Sequence, residues 1–243
     1  MEFILAVSLL TQQTPGEALQ KFCEAIEKKD FTSAKEAFEG PMTEKDFQKF
    51  LTEMEEPSRK GYLEGVKKAP SISAPAEGVK ELQVEWRWIS GGVLMKAEAE
   101  FVPGEKGWKV KDYDHDIRKE GKTKGVAGAS KSTPSEVLQA FITAIEKKDY
   151  GNVAALWVEK ERRELTAEEV KNEAEREAKR YAGWLEALKK LCILGAADDS
   201  VTEIEWGIEF TDSESEVGVG VALIKESGEW KLQDLDIDVE KEK

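Results

Sequence analysis

One histidine, two cysteines and two runs of alternating aspartates are the residues of this chain whose types and spacing invite chemistry. His115 lies in the run WKVKDYDHDI, Trp108 to Ile117, where it shares strand parity with Tyr113 and Ile117. An inward imidazole beside a phenol is the material of a polar anchor for a ligand; an ordinary strand histidine is the competing reading. The triplets Asp112, Asp114, Asp116 and Asp234, Asp236, Asp238 invite a calcium reading. Alternate residues of a strand stand about 6.6 Å apart, however, and calcium gathers its oxygens around one point. A calcium loop starting at Asp112 needs Gly at 117 and Glu at 123, where the chain has Ile and Thr. A solvated strand face is the expectation, and no metal is assigned. Cys23 and Cys192 show no ligand spacing and read as small buried apolar residues. No glycine-rich phosphate loop, zinc signature or nucleophile elbow occurs, so no catalytic residue and no cofactor is assigned.

The elements that position these residues come in two copies. TPGEALQKFCEAIEKKD, Thr14 to Asp30, returns as TPSEVLQAFITAIEKKD, Thr133 to Asp149, identical at 12 of 17 positions. Each is an amphipathic helix with its start signal attached: a Thr cap, Pro in the first turn and a Glu that closes a capping box. Leu19, Phe22, Cys23 and Ile26, and Leu138, Phe141, Ile142 and Ile145, recur at helical spacing. A short second helix follows, and a third opens at Thr43 and Thr166. Pro57 should kink the third helix of copy one, whereas that of copy two is expected to run straight.

The period then changes to two. Leu82, Val84, Trp86 and Trp88 alternate with charged residues, as do Ile204, Trp206, Ile208 and Phe210. Val93, Met95, Ala97, Ala99 and Phe101 form the next apolar row, matched by Val217, Val219, Val221 and Leu223. In the last strand the parity slips at Lys111–Asp112 and again at Gln233–Asp234, which predicts a bulge in each copy. His115 falls where the second copy has Ile237. The fold class expected is α+β: two tandem domains, each three helices followed by a curved antiparallel sheet of at least three strands. Residues 1–13 are an N-terminal segment, 14–118 the first domain, 119–132 a Gly- and Lys-rich linker and 133–243 the second domain. The apolar run Phe3–Leu10 suits a signal-peptide core but lacks a basic flank, so export and a cytoplasmic address both stay open.

The TP-x-E-x-Leu-x-x-Phe-x-x-Ala-Ile opening with a late Trp-Lys-Val or Trp-Lys-Leu strand resembles the nuclear transport factor 2-like (cystatin-like) superfamily. It is most similar to the bacterial lumazine-binding-like branch, and the resemblance spans both copies. It implies a cone between sheet and helices, where enzymes of the superfamily place inward Asp, His, Tyr or Arg. Here the inward rows are Leu, Val, Ile, Trp, Met and Ala, which weighs against acid–base catalysis. A non-catalytic binding or protein-interaction module is therefore expected, taking an unknown protein or a small apolar ligand. The alternative is a small-molecule carrier or an isomerase- or dehydratase-type enzyme using the first cone, lined by Trp86, Trp88, Met95, Tyr113 and His115.

The formal net charge of −14, from 36 basic and 50 acidic residues, disfavours nucleic acid, and no apolar run is long enough for stable membrane insertion. On the outward face Gly207, Gly218, Gly220 and Ala222 stand where copy one has charged side chains, which marks a covered interface: the other domain, the linker or a second chain. Sheet-mediated pairing within or between chains would supply it.

Overall fold

The computed structural model describes residues 12–54, 62–118, 125–158, 166–191, 193–213 and 215–241. The first half runs α1 (Pro15–Lys28), α2 (Phe31–Ala37), α3 (Glu44–Met54), α4 (Tyr62–Lys68), β1 (Val79–Ser90), β2 (Val93–Gly104) and β3 (Gly107–Arg118). The second repeats the order: α5 (Pro134–Glu146), α6 (Tyr150–Leu156), α7 (Ala167–Arg180), α8 (Trp184–Lys189), β4 (Val201–Asp212), β5 (Ser215–Glu226) and β6 (Glu229–Lys241). Both capping boxes form. The Glu17 amide donates to Thr14 Oγ1 at 3.2 Å while the Thr14 amide donates to the Glu17 carboxylate at 2.8 Å, and Thr133 and Glu136 do the same. With their first donors satisfied, α1 and α5 lay Leu19, Phe22 and Ile26, and Leu138, Phe141 and Ile145, into the core.

Among the described residues, four helices stand in each half where three were expected. In the second half the expected straight helix ends at Arg180. Tyr181 turns to extended backbone (φ −147°, ψ 110°), and a new helix starts after Gly183. The Tyr181 ring folds over Gly183, where any Cβ would lie 2.8 Å from it, and the restart lets Trp184 reach the core at 5% exposure. Pro57 and the kink expected there lie outside the described residues.

The six strands make one antiparallel sheet in the order β3-β2-β1-β4-β5-β6. The halves are therefore joined edge to edge, Val84 opposite Trp206 and Trp86 opposite Ile204. Directly paired residues point to one face, so the apolar rows of both halves share a face with the helices over it. Among the described residues, no helix covers the other face. Arg87 ties the joint, reaching Glu203 across it at 2.6 Å and Glu85 on its own strand at 2.5 Å. The predicted bulges are present: Lys111 is extra between the pairs Glu100–Asp112 and Phe101–Val110, and Gln233 between Ala222–Asp234 and Leu223–Leu232. At each bulge a segment from the helical layer closes on the edge strand, the Glu39 amide donating to Val110 O and the Val158 amide to Leu232 O.

A second seam links the halves beyond the strands. Gly195 donates to Ser71 O at 2.9 Å, and Lys68 meets Asp198 at 3.0 Å. Burial pushes the Asp198 carboxyl up, but bonds from the Ser200 hydroxyl and amide, with the Lys68 ammonium, outweigh it and bring the pKa to about 2. A folded pKa below the unfolded one gives stability that is complete above about pH 4 and lost as pH falls through about 2. Urea midpoints at about pH 5 and about pH 2.5 should therefore converge more for Asp198→Asn than for the parent; an equal acid loss in both would show that this seam does not contribute.

Candidate functional site

The cone of the first half is built by α1 and α4 above the inner rows of β1, β2 and β3. The four candidate lining residues with described side chains meet there, and they fill it. Trp86 and Trp88 are fully buried, Met95 is 7% and Tyr113 6% exposed. Trp86 Nε1 donates to Gly65 O of α4 at 2.9 Å, and its ring stacks on that of Tyr113 at 6.2 Å and 23°. The helix lies so close that a Cβ on Gly65 would sit 2.7 Å from Tyr113 Oη and 3.0 Å from Trp88 Cη2. Burial, with Cys23 and Asp114, pushes the Tyr113 phenol well above its ordinary value, which keeps it neutral. His115 pairs with Ala97 in the strand register, and its side chain lies outside the described residues. Cys23 is buried and its thiol is pushed up to about 12 by desolvation and Glu27, leaving negligible thiolate near neutral pH. Cys192 lies outside the described residues.

The second cone is closed in the same way. Ile204, Trp206, Ile208 and Phe210 are at most 2% exposed, and Ala187 of α8 stands at the position of Gly65. The one ammonium on these inner rows that sequence reasoning missed is Lys225, 1% exposed at the end of β5. It donates to Gly128 O of the linker at 2.9 Å and lies 4.9 Å over the Trp230 ring. Desolvation lowers its pKa against the pull of Asp199 and Asp198. Its place in an apolar alternation was the available signal. It pins the linker and touches no cleft.

Replacing Gly65 with Ala should lower stability by about 1–2 kcal/mol, because a methyl group must displace Tyr113 or Trp88. Chemical denaturation reads this directly; an unchanged midpoint would mean that the cone has slack.

Two concavities lie on the outside. A groove of about 650 Å³ runs between α1 and α4, floored by Leu19, Cys23, Leu63, Val66 and Ile72 with Glu24, Glu27 and Lys67 at its rim. None of Trp86, Trp88, Met95 or Tyr113 lines it. A trough of about 250 Å³ lies on the bare sheet face, over Gly207, Gly218 and Gly220. Of the three covers expected there (the other domain, the linker or a second chain), the described residues of the first half supply none. The halves meet through β1 and β4, and a Cβ on Gly220 would meet nothing within 4 Å. The reason is geometric: edge-to-edge pairing puts both outer faces on one side of one sheet, where neither can cover the other. Among the described residues, no three His, Cys, Asp or Glu side chains gather to hold a metal ion, and no helix is long and apolar enough to cross a membrane.

No family model and no curated protein matches this chain. A structure described as a cystatin-like protein from Ruminococcus gnavus ATCC 29149 is 15% identical, with a TM-score of 0.26, the match covering 94% of this chain and 76% of that one. A structure described as an NTF2-like protein from Bacteroides fragilis NCTC 9343 is 10% identical, with a TM-score of 0.23, covering 91% and 97%. Likenesses this distant carry nothing about chemistry. The chain's own geometry gives the fold class: α+β, with eight helices and a six-stranded antiparallel sheet among the described residues.

Proposed function

We propose that this chain is a tandem of two cystatin-like units, residues 14–118 and 133–243, acting as a non-catalytic binding module that works through its exterior. The repeated sequence and the repeated order of elements support the tandem reading. The observation that carries the functional reading is the filled first cone. Trp86, Trp88, Met95 and Tyr113, which would have lined a ligand site, pack on one another and on α4. A general acid or base needs a positioned titratable group in a cleft that substrate can enter, and the titratable groups on the described inner rows, Tyr113 and Lys225, are buried at 6% and 1% exposure.

A second reading, a carrier of a small apolar or lumazine-like ligand, is favoured by the groove between α1 and α4. Its volume of about 650 Å³ falls in the range of ligand sites. Titration of the full chain with a neutral apolar dye and with a lumazine separates the two. The binding-module reading expects no saturable binding. Micromolar, saturable binding that Leu63→Gln removes would transfer the function to the groove.

A further inference from the structure

The bare sheet face is not chemically uniform. In the first half its central positions are Glu85, Arg87, Lys96 and Glu98, and they close on one another: Arg87 on Glu85 at 2.5 Å, Lys96 on Glu98 at 3.0 Å and also on Glu85. The repeat places Gly207, Glu209, Gly218 and Gly220 at the same positions of the second half. Both cations and both carboxylates of that first-half cluster are gone there, with Glu209 standing where the first half has Arg87, while Glu81, Glu205, Asp234 and Asp238 stand on the neighbouring positions. Three parallel rows cross strands β1, β4, β5 and β6: Glu81–Glu209–Gly218–Asp238, Gln83–Gly207–Gly220–Asp236 and Glu85–Glu205–Ala222–Asp234. The result is a side-chain-free floor walled by acid on both long sides.

The fold does not ask for two of these glycines. Gly218 and Gly220 have no positive φ. A Cβ on Gly218 would find only Asp238 Cβ at 3.9 Å, and one on Gly220 nothing within 4 Å. Gly207 differs, because a Cβ there would lie 2.9 Å from Val219 O. Each unneeded glycine inside a strand costs about 0.5–1 kcal/mol of conformational entropy, and the first half carries Lys96 and Glu98 at the matching sites. The trough is thus kept open against the preference of the strand.

Its charge is only partly answered from within. Arg87 and Lys96 hold Glu85, Lys111 reaches Glu81, and Arg180 reaches Asp238 at 2.8 Å and Asp236 at 3.9 Å. Neither Glu205 nor Glu209 forms an ion pair among the described residues. Desolvation raises the Glu205 carboxyl, and Glu85 and Asp234 push it the same way against Arg87 and Lys96, so an incoming cation would relieve it. A second copy of this chain does not fit, since it would lay the same carboxylates on these.

Resting on the binding-module reading above, we infer that this trough docks a basic, extended peptide segment of a partner protein, with Lys or Arg side chains between the carboxylate walls. Charge complementarity sets the sign of the partner. The bare floor sets its shape, because a flat guanidinium or an extended backbone can lie directly on the sheet only where side chains are missing.

The test is fluorescence anisotropy on the full chain at about 50 mM salt, where charge contacts are weakly screened. The probes are a labelled nona-arginine peptide and a Gly/Ser peptide of equal length. The parent should bind the arginine peptide saturably and ignore the neutral one. Glu205→Gln with Glu209→Gln, and separately Gly218→Lys with Gly220→Lys, should weaken binding at least about tenfold. Glu168→Gln with Glu175→Gln on α7, matched in charge to the first pair, should change it less than about twofold. The glutamine pair is isosteric, so it decides the matter even if the lysine pair folds poorly. Absence of binding by the parent, trough variants that bind like the parent, or an equal loss in the α7 control would each overturn the docking site. Those failures leave the dye titration negative, whereas failure of the binding-module reading turns it positive.

Discussion

Replacing Trp86 with Ala is expected to cost about 3–5 kcal/mol, a large share of the roughly 5–15 kcal/mol that holds a domain folded. The indole is fully buried, stacks on Tyr113, and gives its N–H to a helix carbonyl. The truncation removes the packing, leaves a cavity beneath α4 and orphans Gly65 O. Urea unfolding followed by circular dichroism should show a much lower midpoint, and the neutral dye, inert toward the parent, should bind the new cavity. A variant about as stable as the parent would mean that the first cone is not packed, and the case against an interior ligand site would fall with it.

Arg87→Ala should be the next most damaging of the changes considered, at about 2–3 kcal/mol. Arg87 is 30% exposed, but Glu85 and Glu203 beside it are only 14% and 11% exposed. Removing the guanidinium takes away the cation that these two poorly solvated carboxylates share at the joint between the halves, although Glu85 keeps Lys96. Breaking a fully buried pair costs about 3–5 kcal/mol, and the partial exposure of Arg87 lowers the figure. The loss should be largely recovered when Glu203 is also made Gln, because a neutral amide tolerates the site. A double mutant as unstable as the single one would contradict this account of the joint.

The local parts of this fold were legible because their signals are local. Thr-Pro-x-Glu fixed the starts of α1 and α5, and strand parity gave the inner rows. A parity slip repeated in both copies located the bulges at Lys111 and Gln233. The division between α7 and α8 was harder, since Tyr181 and Gly183 break a helix only in combination with the need to bury Trp184. The edge-to-edge joint was invisible. Leu82, Val84 and Trp86 carry the same alternation whether their strand is an edge or a centre, and the Arg87–Glu203 pair exists only once a register is chosen. The candidate site divides along the same line. Strand parity puts Trp86, Trp88 and Tyr113 on the inner rows, yet only the approach of Gly65 shows that they fill the space rather than line it. The glycine face stood out in the sequence, while its openness depends on how the halves are arranged.

That arrangement is the centre of the account, and hydrogen exchange tests it most directly. In one sheet of order β3-β2-β1-β4-β5-β6, the amides of β1 and β4 are paired on both sides and belong to the slowest-exchanging set, while β3 and β6 exchange faster at the edges. Exchange followed by mass spectrometry should find peptides covering Val79–Ser90 and Val201–Asp212 protected longer than those covering Gly107–Arg118 and Glu229–Lys241. Two separate three-stranded sheets would make β1 and β4 edges themselves. Exchange at β1 and β4 as fast as at β3 and β6 would contradict the single sheet, and with it the open face proposed as the binding surface.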